Sequence, residues 1–87
     1  MLGSSRTEQD RTTLKISVAL GAQSEIGFEP IGTSFVLDGG DWVTLELPVS
    51  AVAEVEIVAW PNGIAVWVPF PGDYIVFDSS GNELDRL

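Results

Sequence analysis

From Thr13 onward, apolar and polar residues alternate with a period of two. Leu14, Ile16, Val18 and Leu20 interleave with Lys15, Ser17 and Ala19, the pattern of a strand with one buried face. Gly21 to Ser24 interrupts the run. Ile26 and Phe28 then alternate with Glu25 and Glu29, and Pro30 closes that segment. Thr33 to Leu37 forms a third run. Asp38-Gly39-Gly40-Asp41 reads as a turn, because glycine supplies the positive φ that tight turns need. In the next run, Val43, Leu45 and Leu47 point one way, and Trp42, Thr44 and Glu46 the other.

Ser50 to Ala53 is a short connection, followed by Glu54 to Trp60. Trp60-Pro61-Asn62-Gly63 is the clearest local signal in the chain. Pro61 presets φ, Asn62 tolerates the bridge region, and Gly63 suits the left-handed one. This predicts a three-residue hairpin loop with a glycine bulge. In that register Trp60 faces Ile64, Val58 faces Val66, and Ile57 faces Trp67. Pro69, Pro71 and Gly72 turn the chain before a strand over Tyr74 to Phe77. Ser79-Ser80-Gly81-Asn82 turns it again toward a short tail, Glu83 to Leu87.

The pattern predicts an all-β domain: a small antiparallel β-sandwich or barrel of about seven short strands. No apolar period of 3.6 persists over helix length. A flexible N-terminal arm is expected over 1–12 and a single β domain over 13–87. The hairpin around Asn62 differs from the earlier strands in being apolar on both sides. One face is expected to carry Val58, Trp60, Ile64, Val66 and Val68, and the other Val55, Ile57, Ala59, Ala65 and Trp67. Such a pair is either central in a sandwich or covered by another subunit.

Composition narrows the chemistry. The 87 residues contain no His and no Cys, and the one Met is Met1. That leaves no imidazole base, no thiolate and no soft metal ligand, so no catalytic residue, cofactor or metal site is assigned. Between Lys15 and Arg86 there is no basic residue and there are eleven carboxylates, which dominate the net charge of −9. An acidic body repels nucleic acid and anionic lipid and attracts basic proteins. Neither nucleic acid nor a membrane is an expected partner. No run approaches the roughly 18 apolar residues of a membrane span. Met1 to Leu14 shows no apolar signal-peptide region, and the expected location is the cytoplasm.

Several constellations have an ordinary reading beside a chemical one. Asp78-Ser79-Ser80-Gly81 resembles the Asp-Ser/Thr-Gly loop of aspartic proteases with an extra Ser, but those enzymes need two such aspartates together. A turn whose Asp and Ser bond their own backbone accounts for the same residues. Asp78, Ser80, Asn82 and Glu83 offer oxygens at alternating spacing, as calcium loops do, but the Gly and bidentate Glu fall at the wrong positions. Asp38 and Asp41 make a second oxygen-rich turn. Glu54 and Glu56, on one strand face, would stand about 6 to 7 Å apart, a glycosidase-like spacing that a solvated strand edge explains as well. Trp42, Trp60 and Trp67 suggest a sugar-stacking platform or simple core packing.

Phe28-Glu29-Pro30 through Leu47, with Gly40-Asp41-Trp42-Val43, resembles a strand pair of cupredoxin-like domains. Phe70-Pro71-Gly72-Asp73-Tyr74 resembles the Pro-Gly-x-Tyr entry to a late strand in cupredoxins and bacterial immunoglobulin-like domains. The resemblance covers about half the chain and implies a β-sandwich. It implies no functional residue, since the family's copper ligands are His, Cys and Met. The function expected is a non-catalytic protein-interaction or assembly module. It would act as a homo-oligomer or on a basic protein, through Val58, Trp60, Ile64 and Val66. The alternatives are carbohydrate binding through exposed Trp and, further off, a hydrolase using carboxylates alone.

Overall fold

The computed structural model describes residues 10–87, and most of the arm expected over 1–12 lies outside that range. The chain forms a sandwich of two four-stranded sheets, without barrel closure. The strands are β1 (Arg11–Ser17), β2 (Gln23–Glu29), β3 (Thr33–Asp38), β4 (Trp42–Pro48), β5 (Glu56–Trp60), β6 (Gly63–Trp67), β7 (Ile75–Phe77) and β8 (Glu83–Arg86). The first sheet has the order β1-β4-β7-β8, the second β3-β2-β6-β5. The eighth strand is the tail after Asn82.

Strand β1 begins at Arg11, earlier than expected, because Arg11 and Thr12 pair with Pro48 and Leu47. It also ends sooner, at Ser17. Val18 bonds the 38–41 turn instead, donating to the Asp41 carbonyl (2.9 Å) and accepting from Gly40 N–H (2.8 Å). Leu20, expected on the buried face, therefore sits 87% exposed in a turn. Gly40 adopts φ +86°, as the turn reading required.

One pairing departs from the antiparallel expectation: β2 and β6 run parallel, with Ile26 beside Ile64 and Phe28 beside Val66. Strands β3 and β4 lie in different sheets, so the chain crosses the sandwich before β5 and β6 return beside β2. A 3-10 helix, Val49–Glu54, makes the crossing from β4 to β5 and buries Ala51.

The inward residues match the period-two pattern. Val43, Leu45 and Leu47 of the first sheet meet Ile26, Phe28 and Val66 of the second, with Tyr74 and Val76 closing the core. Each is at most 2% exposed, and complete burial of such a side chain contributes about 1.5–3 kcal/mol. Phe28 and Phe35 add an edge-to-face contact, with ring centroids 6.3 Å apart. The Pro-Gly-x-Tyr motif has a local cause. The Tyr74 ring folds back onto Gly72, where a side chain has no room, and its hydroxyl donates to the Pro69 carbonyl. Burial pushes the Tyr74 phenol above its usual range, and nearby Glu54 adds to the shift.

Candidate functional site

The hairpin turns where expected, at Pro61-Asn62, but its loop has two residues rather than three. Trp60 pairs with Gly63, Ala59 with Ile64, Val58 with Ala65, Ile57 with Val66 and Glu56 with Trp67. Every facing predicted for this hairpin is thus shifted by one residue, which in a strand moves side chains to the opposite face. Gly63 is not left-handed either. It is glycine because two groups crowd it. A Cβ there would lie 2.5 Å from the Glu25 carbonyl oxygen and 2.8 Å from the Trp60 indole. The indole lies across Gly63, filling the gap left by the missing side chain.

The corrected register divides the four predicted contact residues. Val58 and Trp60 share the outer face of the second sheet. Ile64 and Val66 point inward: Ile64 packs against the core, and Val66 is completely buried. Trp67, assigned by the sequence to the other face, joins Trp60 outside, and both are 42% exposed. Register therefore assembles an outer surface in rows. Val36, Glu25, Gly63 and Trp60 form one row, Ser34, Gly27, Ala65 and Val58 the next, and Glu29, Trp67 and Glu56 the last. Small residues make its floor. Their signal in the sequence was the alternation Glu25-Gly27-Glu29, legible only once β2 was known to lie beside β6.

Strand β5 is the edge of this surface. All five of its residues are exposed, which is true of no other strand among the described residues. Ile57, on the inward side, is 52% exposed, because β5 overhangs the core. At the hairpin tip Trp60 borders a recess of about 260 Å³, shared with Ser17, Gln23, Ser24 and Ile64.

The charges of the two sheets differ. In the first, Glu46, Glu83 and Asp85 are balanced by Arg11, Lys15 and Arg86. Arg11 binds Glu46 at 3.0 Å and approaches Asp73 at 3.7 Å, and Arg86 binds Glu83 at 3.1 Å. Lys15 places its ammonium 4.1 Å from the Trp42 ring, which removes Trp42 from any platform with Trp60 and Trp67. The strands of the second sheet carry Glu25, Glu29, Asp38 and Glu56 and no cation.

The other candidates resolve into turn chemistry. The Asp78 carboxylate accepts the backbone N–H groups of Ser80 (2.9 Å) and Asn82 (2.8 Å). The Asn82 bond is the leading cause that holds its pKa below the usual aspartate value. Asp41 accepts the N–H of Trp42 at 2.8 Å, and Asp38 is bonded by Gln23 at 3.1 Å. Glu54 ends the 3-10 helix while Glu56 opens β5, so the two do not share a strand face. Among the described residues, no three acidic side chains are grouped as metal ligands would be. What the second sheet offers is binding chemistry: a small-residue floor, two flat indoles, an open edge and unbalanced negative charge. Comparison with protein-family models, with curated proteins and with solved structures finds no match to this chain.

Proposed function

We propose that this domain is a non-catalytic protein-interaction module whose contact surface is the outer face and edge of β5 and β6. The observation that carries the reading is the exposure of every residue of β5, an apolar strand of sequence Glu-Ile-Val-Ala-Trp. Exposed apolar strands of this kind mark contact sites, since folded domains otherwise protect them. Trp60 is the natural anchor, held flat by Gly63 and flanked by Val58. The partner is a second copy or a basic protein, and the unbalanced carboxylates of the second sheet favour the basic protein. The cupredoxin-like and immunoglobulin-like resemblance contributes the sandwich to this reading and no functional residue.

The test compares proteins retained from the native host by the wild-type domain and by a Val58→Asp, Trp60→Asp variant, with light scattering on both. A partner or dimer that the variant loses supports the reading. Identical retention and identical mass for both proteins overturn it. Carbohydrate binding is the second reading, favoured by the placement of Trp60 and Trp67 on one face. It predicts that saccharides change the fluorescence of these two indoles, while Trp60→Ala removes most of the response.

A further inference from the structure

We infer that the open edge of β5 accepts an extended segment of another protein as an added strand, with cationic residues alternating with apolar ones. The inference rests on the interaction reading above and specifies how contact is made.

The backbone identifies the docking groups. In an antiparallel ladder, alternate residues bond the neighbouring strand and the rest face away. On the far side of β6, Glu25 N–H donates to the Asn62 carbonyl (3.1 Å) and Val68 N–H to the Glu29 carbonyl (2.9 Å). In that parallel register Ile64, Val66 and Val68 bond β2, leaving Gly63, Ala65 and Trp67 to bond Trp60, Val58 and Glu56. Ile57 and Ala59 therefore direct their N–H and C=O groups outward from the sheet. Nothing on β5 blocks a neighbour. Edge strand β1 carries Arg11 and Lys15, and edge strand β8 carries Glu83, Asp85 and Arg86, charges of the kind that deter edge pairing. Strand β5 has one charge, Glu56 at its first position, and no proline. The fourth edge strand, β3, also has one charge, Asp38, but is exposed only at alternate residues, whereas every residue of β5 is exposed.

The side chains select the occupant. A residue placed opposite Val58 on the outer face would be diagonal to both Glu56 and Trp60. The protein already contains this arrangement. Lys15 is opposite Thr44 and Ser17 opposite Trp42, so Lys15 is diagonal to Trp42, and its ammonium lies 4.1 Å from that ring. A lysine or arginine on the added strand repeats the contact on Trp60 and gains Glu56 as a counter-charge. The intervening residues face the overhang beside Ile57 and Ala59, where apolar side chains are favoured. A second copy of this chain would instead bring four more carboxylates to a sheet that has no cation.

The experiment uses the whole chain, labelled with nitrogen-15, and a capped peptide of alternating lysine and valine, with a glutamate-valine peptide as control. Binding of the lysine peptide should slow amide exchange at Ile57 and Ala59 at least tenfold and should weaken severalfold at high salt. The control should not bind. Ala59→Pro removes one docking N–H that bonds nothing in the free domain, so folding should persist while binding is lost. If that variant unfolds, exchange at Ile57 and Ala59 in the wild type decides. Absence of binding, unchanged exchange at these two amides, or equal binding of both peptides overturns the inference. So does protection of the two amides that rises with protein concentration alone, which identifies a second copy as the occupant. If the peptide fails while a partner is still lost by the Val58, Trp60 variant, strand docking falls and the interaction reading remains.

Discussion

The outer surfaces of the two sheets are built from the same kind of strand and end in opposite states. On the first sheet, three strand cations equal three strand carboxylates in number, and the long side chains lie along their neighbours: Arg11 on Glu46, Arg86 on Glu83, Lys15 over Trp42. On the second, four strand carboxylates have no cation among them, and two indoles and two valines remain exposed. The difference teaches where to look for function in a chain without His or Cys. The first surface is internally balanced and needs nothing. The second keeps exposed apolar area, negative charge unbalanced within its strands and, among the described residues, an unpaired strand edge at β5, the features on which the proposed contact rests.

The largest effect expected separates core from edge within the second sheet. Phe28→Ala should cost about 3–5 kcal/mol in urea unfolding, because it empties a fully buried site. Ile57→Ala, on a strand two places away, should cost less than about 1 kcal/mol, because the side chain already meets water. Equal losses would mean that β5 is covered and that the contrast between the sheets is wrong.

Next in size is Gly63→Val, expected to cost about 1–3 kcal/mol, through collision with the Glu25 carbonyl and the Trp60 indole. Gly27→Ala, on the same floor, should be nearly neutral, since a Cβ there comes no closer than 3.8 Å to its neighbours. Paired urea melts check both.

The charge contrast can be sharpened by two substitutions. Arg11→Met breaks a partly buried pair on the first sheet and should destabilise by about 0.5–1 kcal/mol. Glu56→Lys puts a cation on the second sheet and should leave stability within about 0.5 kcal/mol of the wild type. A large loss from Glu56→Lys would show that this carboxylate has a partner after all.

The smallest effects follow pH. Asp78 has a lowered pKa in the fold, so its contribution is complete above the ordinary aspartate value of 3.8 and disappears as pH falls through the lower folded value. Amide signals of Ser80 and Asn82 should move together with a midpoint below 3.8. Tyr74 has a raised pKa, so stability should hold below the ordinary value of 10.0 and decline as pH rises above it. Thermal melts from neutral to strongly alkaline pH test that sign.

Much of the architecture was legible in the residues. Period-two alternation marked Val43, Leu45 and Leu47 as inward, and Ile26 and Phe28 likewise, and all five are in the core. Pro61-Asn62 located the hairpin. The chemical hints at Asp78 and Asp41 also reduced, as their turn residues allowed, to carboxylates bonding nearby backbone. The site was less legible. Two apolar faces suggested a contact surface there, but a loop one residue shorter than its residues implied reversed the facings and exchanged Val66 for Trp67 on the exposed side.

The sequence by itself determined the class of fold, the alternation of faces, the excess of carboxylates and the absence of His and Cys, because each is a local or compositional property. Tertiary structure decided which strands became neighbours. It set β6 parallel to β2, placed β5 at an edge beyond the core, and gathered every cation of the described residues onto one sheet. The physical reason is that period two tells which side of a strand is buried but not what lies beside it. Pairing is chosen by packing and by backbone hydrogen bonds between distant segments. The close approach of the Glu25 carbonyl to Gly63, residues far apart in the chain, is one such contact that no local pattern encodes.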